Sequence, residues 1–163
     1  MAELTQIETK VAEVIGLAQA AQGAIDKVSG LVGDSRLKQE LEQVKQEAAE
    51  TEQRTTQVVD RFEGKKTAIL DKARETKQEA TQMMQTYLGS DADAIDGFEF
   101  LTMAEAGEVG HWQVLGVMNQ RAGISELQQI IEWVTPIQER HYQQALSGTV
   151  TLASQEDPNE PAS

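Results

Sequence analysis

From Leu4 to Val32 the apolar positions fall at Leu4, Ile7, Val11, Val14, Ala18, Ala21, Ile25, Val28 and Val32. The steps alternate between three and four residues without a break. That spacing predicts a helix, segment A, turning one face to a partner. Gly33-Asp34-Ser35 supplies a stop and a new N-cap. Segment B, from Arg36 to Phe62, carries a stripe of Leu37, Leu41, Val44, Ala48, Thr51, Thr55, Val58 and Phe62. The short turn between A and B predicts an antiparallel hairpin. Gly64 weakens the helix after Phe62. Lys65 to Leu88 follows with a thinner apolar side of Ile69, Ala73, Ala80, Met83, Met84 and Tyr87. It either continues B past a bend or forms a separate helix lying across the others. Gly89-Ser90-Asp91 is the next stop. Segment C runs from Ala92 to Ala122, and segment D from Glu126 to Leu146 after Gly123 and a capping Ser125. The fold expected is all-α: an antiparallel four-helix bundle over residues 1–147 with an extra helix in the B–C connection. Residues 148–163, holding Gly, Ser, Pro and acids, are expected to be a flexible acidic tail.

The polar residues that break these stripes are the candidate chemistry. On a wheel of 100° per residue, Phe98, Leu101, Ala104, Trp112, Leu115 and Met118 share one side of C. Glu108 falls near its middle, with Glu105 and His111 on its flanks. On D, Ile124, Leu127, Ile130, Ile131, Val134, Ile137 and Ala145 make the stripe. His141 falls inside it and Gln138 just beside it, while Pro136 upstream predicts a kink. Glu108 lies fifteen residues before Gly123 and Gln138 fifteen after, so a C–D hairpin puts them at one depth. Glu47 and Glu52 flank the stripe of B, and Gln22 is the best inward polar residue of A.

Carboxylates inside a core are costly unless paired or ligated. Glu from facing helices together with Glu-x-x-His pairs is the donor set of bundles that hold two iron or manganese ions. Glu108-Val-Gly-His111 has that spacing, and Gln138-Glu-Arg-His141 has it with glutamine in the acid's place. B offers no histidine. The alternative is a metal-free polar core in which the acids and histidines neutralise one another as charge-assisted hydrogen bonds. Trp112 and Trp133 read as packing residues, and the Met83-Met84 pair as core.

Composition narrows the function classes. The chain of 163 residues is long enough for one sizeable core, and it has no cysteine, which excludes disulfides and thiolate zinc sites. Its formal charge of −13 leaves no basic face for nucleic acid, since Lys65, Lys66, Lys72, Arg74 and Lys77 are interspersed with acids. No apolar run approaches a membrane span, and the N-terminus lacks a signal-peptide layout, so no membrane association and a cytoplasmic location are expected. No P-loop, nucleophile elbow or dinucleotide fingerprint is present in the sequence.

Three stretches, QEAAETEQRTTQVVDRF on B, KKTAILDKARETKQEATQMM between B and C, and GEVGHWQVLG on C, resemble the ferritin-like proteins of the YciF type, a bacterial stress-associated group. The resemblance spans Thr5 to Leu146. It implies a ferritin-like four-helix bundle with an extra helix between B and C, often a homodimer. It also implies iron or manganese binding and a role in oxidative or general stress, the wider superfamily supporting ferroxidase or peroxide chemistry. Carried over residue by residue, it marks Glu108, His111 and His141 as metal ligands, with Glu47 or Glu52; Glu105 and Gln138 stand beside them. The chain departs from the pattern in the first helix, where Gln19 or Gln22 stands for a glutamate, and beside the HW pair, where Gly110 and Gln113 stand for an acid. The contrasting expectation is a metal-free bundle acting as a structural or protein-interaction module.

Overall fold

The computed structural model describes residues 2–162, and all its regular elements are helical. The five α-helices are α1 (Gln6–Ser29), α2 (Ser35–Val58), α3 (Lys66–Tyr87), α4 (Ala94–Ala122) and α5 (Ser125–Ala153), with a 3-10 turn at Val59–Arg61. Caps set several of the ends. Thr5 and Glu8 form a reciprocal capping box on α1, and Asp93 and Asp96 form one on α4. Asp34 accepts from the amides of Arg36 and Leu37 to start α2. The stripes of A, B, C and D thus correspond to α1, α2, α4 and α5. Residues 66–87 form a helix of their own, separated from α2 by the 3-10 turn and by Gly64.

Helix α1 packs against α2, α3 and α4, α4 packs against α5, and α2 against α5. Cross-contacts give the direction of each pairing. Between α1 and α2, Asp26 meets Lys45 at 2.7 Å and Gln22 meets Glu52 at 2.7 Å. Between α1 and α4, Val28 lies against Gly97 and Lys10 reaches His111. Between α4 and α5, Thr102 meets Thr149 at 3.0 Å and Asn119 meets Gln128 at 3.2 Å. In all three, residue numbers rise on one helix as they fall on the other. Against α3 the numbers rise together: Glu8 faces Lys65, and Gly16 lies against Ala73, Thr76 and Lys77. At Gly16 a Cβ would sit 2.4 Å from the Ala73 carbonyl oxygen, so no larger residue fits this approach of α3 to α1.

The end of α5 departs from expectation. The helix runs uninterrupted through Pro136 and on to Ala153, beyond the boundary expected at residue 147. Gly148 is buried, and a Cβ there would stand 2.2 Å from the Phe98 ring. Thr149 bonds Thr102, and Leu152 packs on the core. The six added residues, nearly two turns, hold Val150 and Leu152 as their large apolar residues, and Gly148 leaves room for the Phe98 ring. The described residues after Ser154 are exposed.

Two apolar clusters make the core. One joins Val11 and Ile15 of α1, Val58, Ile69 of α3, Trp112 and Leu115 of α4, and Leu127 and Val134 of α5. The other joins Ile25 and Val28, Leu37, Leu41 and Val44, Phe98 and Leu101, and Ala145. Between them every long helix of the four-stripe set has a gap, and the gap holds the polar residues: Gln19 and Gln22 on α1, Glu47 to Glu52 on α2, Glu105 and Glu108 on α4, Gln138 and His141 on α5. The core is two apolar ends around a polar belt.

Candidate functional site

The belt does not gather its polar residues at one point. Helix α4 contributes Glu105 and Glu108, 3% and 6% exposed. Three residues apart on one helix, they lie about 60° apart around its axis, and that angle sends them to different neighbours. Glu105 turns to α5. Its Oε2 accepts from Gln138 Nε2 and lies 3.8 Å from His141 Nδ1. The other ring nitrogen of His141 donates to Glu47 Oε2 at 3.2 Å, and Arg140 also pairs with Glu47. Glu47, His141, Glu105 and Gln138 form one chain of contacts from α2 through α5 to α4.

Glu108 turns to α1 and α3. No hydrogen bond reaches its carboxyl; only burial and the charge of Glu105 act on it, and both push its pKa well above the usual carboxylate value. It lines a cavity of about 310 Å³ between α1, α3 and α4. Apolar side chains make most of the wall, among them Leu17, Ala21, Ala80, Met84, Phe100 and Met103. His111 stands at the same cavity but is anchored on its far nitrogen side. Its Nδ1 accepts from Lys10 Nζ at 3.3 Å and lies 3.4 Å from Glu13 Oε2. Burial, then the Lys10 charge, lowers its pKa, while Glu13 opposes the shift.

Glu52 belongs to a third group. Its two oxygens accept from Gln19 Nε2 at 2.9 Å and Gln22 Nε2 at 2.7 Å. Glu47 and Glu52 flank the α2 stripe on opposite sides, and the structure takes one to α5 and the other to α1. The acid that the depth argument set opposite Gln138 is also displaced: Glu105, not Glu108, meets it. The register itself holds, since Glu105 lies eighteen residues before Gly123 and His141 eighteen after.

Protonation follows from these partners. Burial raises the Glu105 pKa to about 7, and the Gln138 hydrogen bond opposes it. Burial lowers that of His141, while the Glu47 contact pulls it back up. The residues expected to ligate iron or manganese are therefore placed in three groups: Glu47, Glu105, Gln138 and His141; Glu108 and His111; and Glu52. Among the described residues no three His, Asp or Glu side chains come together in an arrangement that could hold a metal ion. A two-metal centre needs carboxylates that can bridge both ions. Here Glu105 and Glu47 are turned to His141, Gln138 and Arg140, while Glu108 faces another cavity, so the donor set does not fit that centre.

The cavity was not legible in the stripes. Alanines 20, 21, 24, 80 and 104 and Gly107 leave it open, and small residues facing one another across three elements are the only sequence signal for it. Met84 packs on the core as expected, but Met83 is 68% exposed at the cavity rim. Trp112 is buried in the core, and Trp133 packs at its edge with Arg54 4.3 Å above the ring. No helix among the described residues is long and apolar enough to cross a membrane. Comparison with protein-family models, curated proteins and solved structures finds no match.

Proposed function

We propose that the chain is a ferritin-like antiparallel four-helix bundle, formed by α1, α2, α4 and α5, with α3 laid parallel to α1. The opposite running of residue numbers across α1–α2, α1–α4 and α4–α5 supports the bundle. So does the polar belt at mid-height, where bundles of this kind keep their donors. We propose further that it works as a metal-free binding module and not as a di-iron or di-manganese oxidase. The observation that carries this reading is the division of the belt: Glu105, His141, Glu47 and Gln138 satisfy one another, and Glu108 faces a cavity alone. The first group fixes helix register, because each member loses its partner if a helix slides by a turn.

One observation favours the other reading, a single iron or manganese ion with a stress role. His141 has a carboxylate on each side, Glu47 and Glu105, which are donor types that both metals take. The two are separated by titrating Fe²⁺ and Mn²⁺ into untagged protein and into His141→Ala, with elemental analysis of the purified chain. The metal-free reading expects no saturable binding and no rise in melting temperature. Stoichiometric binding that disappears in His141→Ala would replace it with the metal reading.

A further inference from the structure

The cavity lined by Glu108 has the features of a ligand site. Its volume of about 310 Å³ reaches the low end of small-molecule pockets, and its walls are mostly apolar with few polar groups, as such pockets are. It is also where a largely buried acid faces open space without a protein donor. Glu108 is 6% exposed and receives no hydrogen bond, although most buried polar side chains in a folded protein are satisfied; the fully enclosed side-chain atom without a partner among the described residues is Gln144 Oε1, away from this cavity. Glu105, three residues away, shows that this helix satisfies an acid when a partner is supplied.

We propose that this cavity binds a small amphipathic amine, its apolar body against Leu17, Met84, Phe100 and Met103 and its ammonium group on the Glu108 carboxylate. The charge pattern selects a cation. No Lys or Arg lines the cavity, so an anionic head would be buried without a counter-charge. Glu105 lies close enough to act on Glu108 through its charge, and the whole chain carries −13, both of which favour a positive guest. His111 at the rim has its Nδ1 occupied by Lys10, and burial lowers its pKa. On binding, Glu108 and the amine exchange at most a proton. If either partner enters neutral, the proton ends on nitrogen, and the result is an ammonium–carboxylate hydrogen bond of the charge-assisted kind. Phe100 and the three methionines 83, 84 and 103 add polarisable walls.

The proposal rests on the metal-free reading of Glu108, and the test separates the two. Decylamine, decanol and decanoate, each below its micellar concentration, are titrated by calorimetry into the full chain in the presence of a chelator. The variants are Glu108→Gln, which removes the anion, and Ala21→Leu, which fills the cavity. Decylamine should bind at one site per chain, and Glu108→Gln should weaken it by about tenfold or more, the size of a lost charged hydrogen bond. Decanol should bind more weakly, decanoate should not bind, and Ala21→Leu should abolish amine binding while the melting temperature is kept. Equal binding of decylamine and decanoate, an unchanged affinity in Glu108→Gln, or no binding of decylamine would overturn it. So would a change of oligomeric state in Ala21→Leu by sedimentation, which would show that a second copy fills the cavity. Amine binding that is present with chelator and lost with stoichiometric Mn²⁺ would support this site while counting against the metal-free reading.

Discussion

Glu105 and Glu108 stand three residues apart on α4, are buried to the same degree, and differ in almost everything else. Glu105 accepts from Gln138, lies beside His141, and ties α4 to α5 and through Glu47 to α2. Glu108 faces α1 and α3 across an apolar cavity and touches no donor. One acid holds the fold together, and the other is kept at a cost to stability. The difference teaches that burial alone does not define a site. A buried acid with partners is part of the structure, and one without partners that lines a cavity is where a ligand contact is worth testing.

The largest consequence is a pH dependence. Both carboxyls have folded pKa values above the ordinary 4.5, Glu105 at about 7 and Glu108 well above. Above pH 4.5 the unfolded chain ionises them while the folded chain keeps their protons. Stability is therefore fully present below pH 4.5 and is lost as pH rises through the folded values. The histidines have lowered folded values, so they act the other way, removing stability only as pH falls through 6.5. Glu108→Gln removes one descending contribution. Its gain over wild type should be small at pH 5 and grow as the pH rises to 7. Urea melts at both values check this, and a gain that does not grow with pH would mean that Glu108 is ionised in the fold.

The cavity side can be broken without touching the α5 side. Gly16→Leu forces α3 away from α1, since even a Cβ meets the Ala73 carbonyl oxygen at 2.4 Å and Thr76 Cβ at 2.8 Å. The expected loss is about 2–3 kcal/mol, with heightened amide exchange in α3 and little change in α5. Uniform loss of protection would show that the two sides are not independent.

The histidines sharpen the same contrast with a smaller effect. His141 is 3% exposed and stands between two carboxylates, so His141→Ala should cost about 2 kcal/mol. His111 is about a third exposed, beside the Lys10–Glu13 ion pair, so His111→Ala should cost under about 0.5 kcal/mol. Thermal melts of the two variants read the difference directly.

Much of the fold was legible because helices write their buried faces at steps of three and four. Val11, Leu41, Leu101 and Val134 were assigned to the inside by spacing, and all four are buried. The depth of the polar belt was legible as well, since hairpin register is counted from the turn at Gly123. The rotation of each polar residue about its helix was not. Glu105 and Glu108 differ by about 60°, and which of them meets Gln138 depends on where α5 and α3 sit around α4. The separation of His111 from His141 follows from the same rotation, since Lys10 and Glu13 on α1 capture one ring and α2 and α4 the other. The last two turns of α5 were missed because Gly148 reads as a helix breaker until the Phe98 ring is seen against it.

The central claim is that Glu105 is a structural partner and Glu108 is not. It is tested most directly by Glu105→Met and Glu108→Met in chemical denaturation at pH 5, without ligand. At that pH holding a proton costs either carboxyl under about 1 kcal/mol, so the comparison reads contacts and not ionisation. Met keeps the length of the side chain and removes its polar atoms. Glu105→Met leaves the Gln138 amide without its acceptor and should lose about 2 kcal/mol. Glu108→Met strips no partner and should be unchanged or more stable. Equal losses in the two variants, or a larger loss in Glu108→Met, would contradict the account.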